Sequence, residues 1–213
     1  MNWLSDLERK YGRFCIPNLT TILVAGQILV YAIELFVNQF ITVYLGLNRF
    51  LLFSGEIWRL ITFVFIPFSG GGPLSVILGI YFTWFIGTAL EREWGDFKFN
   101  VYFLLGMVGT ILACLVTGIT ADTYCLSLSL LLAFAMLYPE VQVLLFLLIP
   151  VRVKYFGLFA AVLWAFSFLT TSLTGKVYYL LCMLNFLVFF GPQAGRSIRA
   201  WVRREQWKRK NRR

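Results

Sequence analysis

Apolar positions along this chain fall in long runs separated by short polar punctuation. The runs approach the length a bilayer demands, roughly twenty residues per helix, because hydrocarbon offers unpaired backbone groups no partner. Six such runs are expected to be transmembrane helices: about Leu19–Val37, opened by Pro17-Asn18; Leu74–Leu90, stopped by Glu91-Arg92-Glu93; Phe99–Thr117; a short Thr123–Tyr138 closed by Pro139-Glu140; Val153–Leu173; and Lys176–Phe190, ended by Gly191-Pro192. Arg9, Lys10 and Arg13 precede the first run without a small-residue cleavage site, so an uncleaved helix is expected there.

Two segments break the pattern. Between Asn38 and Pro73 the chain is too polar for a clean span and too apolar for a simple loop, and it carries Trp58, Arg59, Pro67 and Gly70-Gly71-Gly72. An interfacial loop with its aromatics at headgroup level is expected. Val141–Ile149 is too short to cross and ends at Pro150, which implies a buried or re-entrant connection. At the N-terminus Trp3, Leu4, Leu7, Tyr11 and Phe14 recur at helical spacing among charges, the pattern of an amphipathic helix on the membrane surface. The expected organisation is an all-α integral membrane protein: an amphipathic segment over 1–18, a six-helix membrane domain over 19–192 and a basic tail over 193–213.

Composition supports this reading: 60% of the 213 residues are apolar or aromatic and 14% are charged, too little polar surface for a water-soluble domain. The net charge of +9 suggests a nucleic-acid partner until it is located. Nine of the nineteen basic residues lie between Arg196 and Arg213, and with Glu205 included that stretch carries +8. The remainder is near neutral, so no basic face for phosphates is expected. The tail, with Trp201 and Trp207 among its arginines, is suited to anionic lipid. The four cysteines form no C-x-x-C pair and the chain has no histidine, so neither a metal nor a cofactor is expected.

Cations near span ends set orientation. The N-terminus, Arg92 with Lys98, Arg152 with Lys154, and the tail fall on one side, against Arg49, Arg59 and Lys176 on the other. Six crossings then place both termini in the cytoplasm, in what is expected to be a bacterial plasma membrane.

The segment from Gly55 to Phe63, with Trp58-Arg59 at its centre, resembles the Trp-Arg motif in the first loop of the rhomboid family. Gly87, Leu90, Glu91 and Gly95 resemble the G-x-x-L-E-x-x-x-G signature at the end of that family's second helix, with Arg92 inside it. Tyr138-Pro139 and Leu144–Lys154 are similar to its segment between helices four and five. The matches are in order over about Ile57 to Lys154. They imply a rhomboid-like six-helix bundle with a long first loop. Glu91 is expected to cap backbone donors, and Gly87 and Gly95 to let helices approach.

The resemblance also implies chemistry that this chain lacks. Rhomboid proteases use a serine on helix four and a histidine on helix six as base. Here there is no histidine, and in place of the G-x-S-G motif stands Thr123-Tyr124-Cys125-Leu126-Ser127-Leu128-Ser129. An ungapped count from Pro139 puts Tyr124 near the nucleophile position, and a small shift brings in Ser127 or Ser129. On helix six the strongly polar residue is Asn185, an amide that cannot act as a base near neutral pH. An interhelical hydrogen bond is the simpler role for it. With no glycine between Gly118 and Gly157, and none in Val177–Phe190, helices four and six are expected to stand too far apart for a Ser–His hydrogen bond.

Glu34 lies inside the first span, where a carboxylate is costly and a proton or ligand role is one possibility. The expected function is that of a rhomboid-like pseudoprotease. As in inactive relatives such as derlins, it would bind transmembrane segments of client proteins and affect their stability or trafficking. The alternatives are an atypical intramembrane serine endopeptidase and a small transporter using Glu34 or Asn185.

Overall fold

A computed structural model describes residues 8–10, 12, 15–68, 72–145 and 149–191. The amphipathic pattern from Trp3 to Phe14 lies largely outside these residues, and the basic tail wholly so. The long helices are α1 (Leu19–Phe36), α5 (Pro73–Trp94), α6 (Asp96–Thr117), α7 (Tyr124–Leu137), α8 (Val153–Thr170), α9 (Leu173–Cys182) and α10 (Leu184–Gly191). Three short helices, α2 (Ile41–Leu45), α3 (Arg49–Phe53) and α4 (Arg59–Thr62), followed by a 3₁₀ turn at Phe63–Phe65, occupy the first loop.

Among the described residues four helices, α1, α5, α6 and α8, are long and apolar enough to cross a membrane, and α9 with α10 makes a fifth if the pair is one span. This is a multi-pass helical membrane architecture, but the expected count of six does not follow from helix length. The expected sixth run is not one helix: it breaks at Met183 with a 57° bend between α9 and α10. The expected fourth is only 14 residues long, about 21 Å against a hydrocarbon core of about 30 Å. It packs against α5, α6, α8 and α9 and so lies within the bundle.

A second departure concerns Val141–Ile149, expected to be buried or re-entrant in an all-α chain. The structure forms a two-stranded antiparallel hairpin there, β1 (Gln142–Leu145) with β2 (Ile149–Arg152), pairing Leu144 with Pro150. Pro150 is tolerated because each strand of a two-stranded sheet is an edge. The hairpin's base is tied by Val153 N–H to Val141 O at 2.8 Å, and by Glu140 to Arg152 at 3.0 Å and Lys154 at 2.7 Å. The β-branched residues Val141, Val143, Ile149, Val151 and Val153 recur at every second position of the two strands and their flanks, a strand preference that a search for helical spans overlooks.

The core gathers around α6. Tyr102 is fully buried against Trp94 and Phe189, with ring centroids 5.1 Å away in each case. α5 and α6 are joined by one residue, Gly95, at φ +78° with no atom within 4 Å of a Cβ position, so glycine is required by conformation and not by space.

Candidate functional site

The segments around Trp58-Arg59 and Gly87–Gly95 are brought into two structural knots. Asn18 begins α1 in a left-handed conformation and offers no side-chain cap, leaving the first N–H groups of the helix without partners of their own. Glu91 supplies one: its Oε1 accepts from Leu19 N–H at 2.8 Å, and the residue is 8% exposed. One turn earlier, Gly87 lies against Thr20, where a Cβ would come within 2.6 Å of the threonine methyl. Asn100 on α6 completes the junction, exchanging hydrogen bonds with Ile16 N–H (3.2 Å) and Ile16 O (2.9 Å). The capping role and close approach expected of Glu91 and Gly87 are therefore present. Arg92 is exposed on the adjacent turn.

The second knot is in the first loop. Arg59 is only 2% exposed; its Nε pairs with Glu56 at 2.6 Å while Nη1 donates to Val43 O and Gly46 O. One guanidinium thus closes the loop on its own backbone, using the planar fork that a lysine lacks. Trp58 beside it is 54% exposed, as an aromatic at headgroup level would be. Thr123, just before α7, accepts no such solvent position: it is buried and its hydroxyl bridges Phe63 O (2.9 Å) and Ile66 O (2.6 Å), tying loop to helix.

Asn185 and Ser129 are buried and bonded, Nδ2 to Oγ at 2.9 Å, while Asn185 Oδ1 accepts Phe186 N–H at 2.8 Å, which fixes the amide's orientation. Ser129 Oγ donates to Leu126 O at 2.9 Å, and Tyr102 OH donates to Ser129 O at 2.8 Å. The interhelical hydrogen bond expected of Asn185 is formed. The expectation that helices four and six stand apart is overturned. The glycines that permit the approach are on α6: a Cβ at Gly106 would meet Leu126 and Asn185, and one at Gly109 would meet Leu181 O. The serine oxygen accepts an amide N–H and its O–H donates to a backbone carbonyl, an arrangement with no proton acceptor of general-base type.

Ser127 points elsewhere, a half-turn from Ser129 on α7. It lines a cavity of about 620 Å³ between α5, α7 and the start of α8, walled mainly by apolar side chains such as Leu78, Phe82, Leu131, Phe134, Val153 and Phe156. α8 contributes only its first turn to the wall and buries only Val153 and Gly157 along its whole length. Tyr124 stands at its upper end, stacked on Phe68 at 5.9 Å. The loop-side end of the cavity is thus bounded by the same first loop that Arg59 and Thr123 hold in place.

Glu34 is half-buried near the end of α1 and lies apart from both knots and from the cavity. Among the described residues no group of three or more histidine, cysteine or carboxylate side chains is placed to hold a metal. Sequence reasoning missed Tyr102, Thr123 and the cavity. The Gly106-x-x-Gly109 spacing on the third run was a legible sign of close packing there, whereas nothing local distinguishes Thr123 from an ordinary loop threonine. No protein-family model matches the chain, and no curated protein matches it in sequence.

Proposed function

We propose that this protein is a rhomboid-like pseudoprotease, a six-crossing membrane protein that binds transmembrane segments of other proteins in the lateral cavity between α5, α7 and α8. The observation that carries the reading is that cavity, mainly apolar and walled by α5, α7 and the start of α8, beside the outer length of α8 that buries almost nothing. A transmembrane segment buries its side chains there by the van der Waals packing that drives helix association in lipid. In this arrangement α7 is a short central crossing, shielded from the bilayer by its neighbours, and both termini are cytoplasmic.

Support for inactivity comes from the hydrogen bonding of Ser129 and from the absence of histidine in the sequence. Fluorophosphonate treatment of the purified protein is expected to leave it unmodified; labelling of Ser127 or Ser129 overturns the inactive reading in favour of a serine endopeptidase. Binding is tested with a photocrosslinking residue at Leu131 and a synthetic single-span helix in liposomes. Adducts are expected, and they should fall when the cavity is narrowed by Leu78→Trp.

A further inference from the structure

The hairpin between α7 and α8 has two edges, and they are not equivalent. Val153 N–H donates to Val141 O, and the register pairs Gln142 with Arg152 and Leu144 with Pro150. Bonded and non-bonded pairs alternate along an antiparallel ladder, so the backbone groups of Val141, Val143 and Leu145 face β2, and those of Gln142 and Leu144 point outward. Pro150 fits this phase, because it has no N–H and stands at an outward position of β2. The outer edge of β2 is thereby guarded: Pro150 offers no donor there, and Arg152 carries a charge paired with Glu140. The outer edge of β1 has neither device. Gln142–Leu145 contains no proline and no charge, and among the described residues the N–H and C=O groups of Gln142 and Leu144 have no hydrogen-bond partner outside the hairpin. An open, uncharged edge of this kind is a template for another strand.

We infer that β1 is the contact strand of a dimer, pairing antiparallel along this edge with β1 of a second copy of this chain. Self-complementarity favours a second copy over any other strand. With Val143 opposite its counterpart, Gln142 lies opposite Leu144 of the copy and Leu144 opposite Gln142. Both outward residues then exchange N–H and C=O with the copy, and every outward donor and acceptor of β1 is used. The symmetry axis passes between Val143 and its counterpart, which gives the closed two-fold arrangement commonest among homo-oligomers. No like charges meet along the edge, because Gln142 is neutral and positions 143–151 are all apolar. The product is a sheet in the order β2-β1-β1-β2 whose outer edges are the guarded ones, so pairing stops at two copies. A lone two-stranded hairpin is marginal by itself, and the wider sheet is not. β2 runs into α8 at Val153, which also walls the cavity, so the shared sheet is anchored in the cavity wall of each copy.

The test uses the full-length protein in phosphatidylethanolamine/phosphatidylglycerol liposomes, with donor- and acceptor-labelled copies mixed and energy transfer followed as the protein is diluted in lipid. Transfer above the level of randomly placed molecules is expected for the unaltered protein. Leu144→Pro removes an outward N–H and leaves the bonds between β1 and β2 in place. By symmetry the dimer loses two hydrogen bonds, at about fivefold each, so association is expected to weaken on the order of twenty- to thirtyfold. Val143→Lys and Val143→Glu each set like charges directly opposite one another and are expected to be monomeric, whereas an equal mixture of the two should regain transfer. That recovery separates edge pairing from loss of the fold. Transfer at the random level for the unaltered protein, including the case in which the edge takes a strand of a different protein, overturns the inference. So does association unchanged by Leu144→Pro and by both charged variants, since the copies then meet elsewhere.

Discussion

Glu91 and Arg59 show how a charged residue survives in so apolar a chain. Each is buried, and each satisfies backbone groups that the fold would otherwise leave bare: Glu91 the first N–H of α1, Arg59 two carbonyls of the first loop. Hydrogen bonds to charged groups contribute about 1.5–3 kcal/mol apiece. Glu91→Ala is accordingly expected to destabilise the protein by about 2 kcal/mol, measured by unfolding in mixed detergent micelles, whereas Glu91→Gln, which keeps an acceptor oxygen, should cost well under half of that. Both residues were singled out in the sequence by the segments they stand in, Gly55–Phe63 and Gly87–Gly95, and not by isolation, since Glu91 belongs to the charged run Glu91-Arg92-Glu93. Their partners were not, since the carbonyls of Val43 and Gly46 and the N–H of Leu19 belong to every residue alike.

Among the elements, the hairpin between α7 and α8 departs from the all-α expectation, as the bend at Met183 departs from a single sixth helix, and charges help to pin its base. The cations Lys154 and Arg152 hold the Glu140 carboxyl below its ordinary range, hydrogen bonding to Lys154 being the larger influence. A depressed carboxylate stabilises the attached state above its unfolded value, and that contribution is lost as pH falls through the lowered folded value. Amide exchange over Gln142–Arg152 is therefore expected to accelerate relative to that in α6 on going from neutral pH to below about 4. Glu140→Gln should show the faster exchange already at pH 7, and a rate insensitive to the change in pH would refute the role of this cluster. The helix α7 makes a different point. Its apolar residues announced a membrane helix, but at 14 residues its length does not make it a span, and what the structure shows is its packing against four neighbouring helices.

For the molecule as a whole, the proposed arrangement makes a topological prediction. With the native cysteines replaced, single cysteines placed near residue 2 and near residue 211 are expected to react with a membrane-impermeant maleimide from the same side, and cysteines at Ser54 and Asp122 from the other. Opposite-side labelling of the two termini would require an odd number of crossings, five being the number given by the long helices and the bent pair. Hydrophobic runs determined that the chain is a multi-pass helical membrane protein, because bilayer solvation acts on each segment by itself. Tertiary structure decided the rest: the approach of Ser129 to Asn185 through glycines on a third helix, the bend at Met183, and the apolar cavity between α5, α7 and α8. Each of these depends on which face of one helix meets which face of another. That is set by side-chain packing between segments far apart in the chain, and a pattern read along one segment carries no record of it.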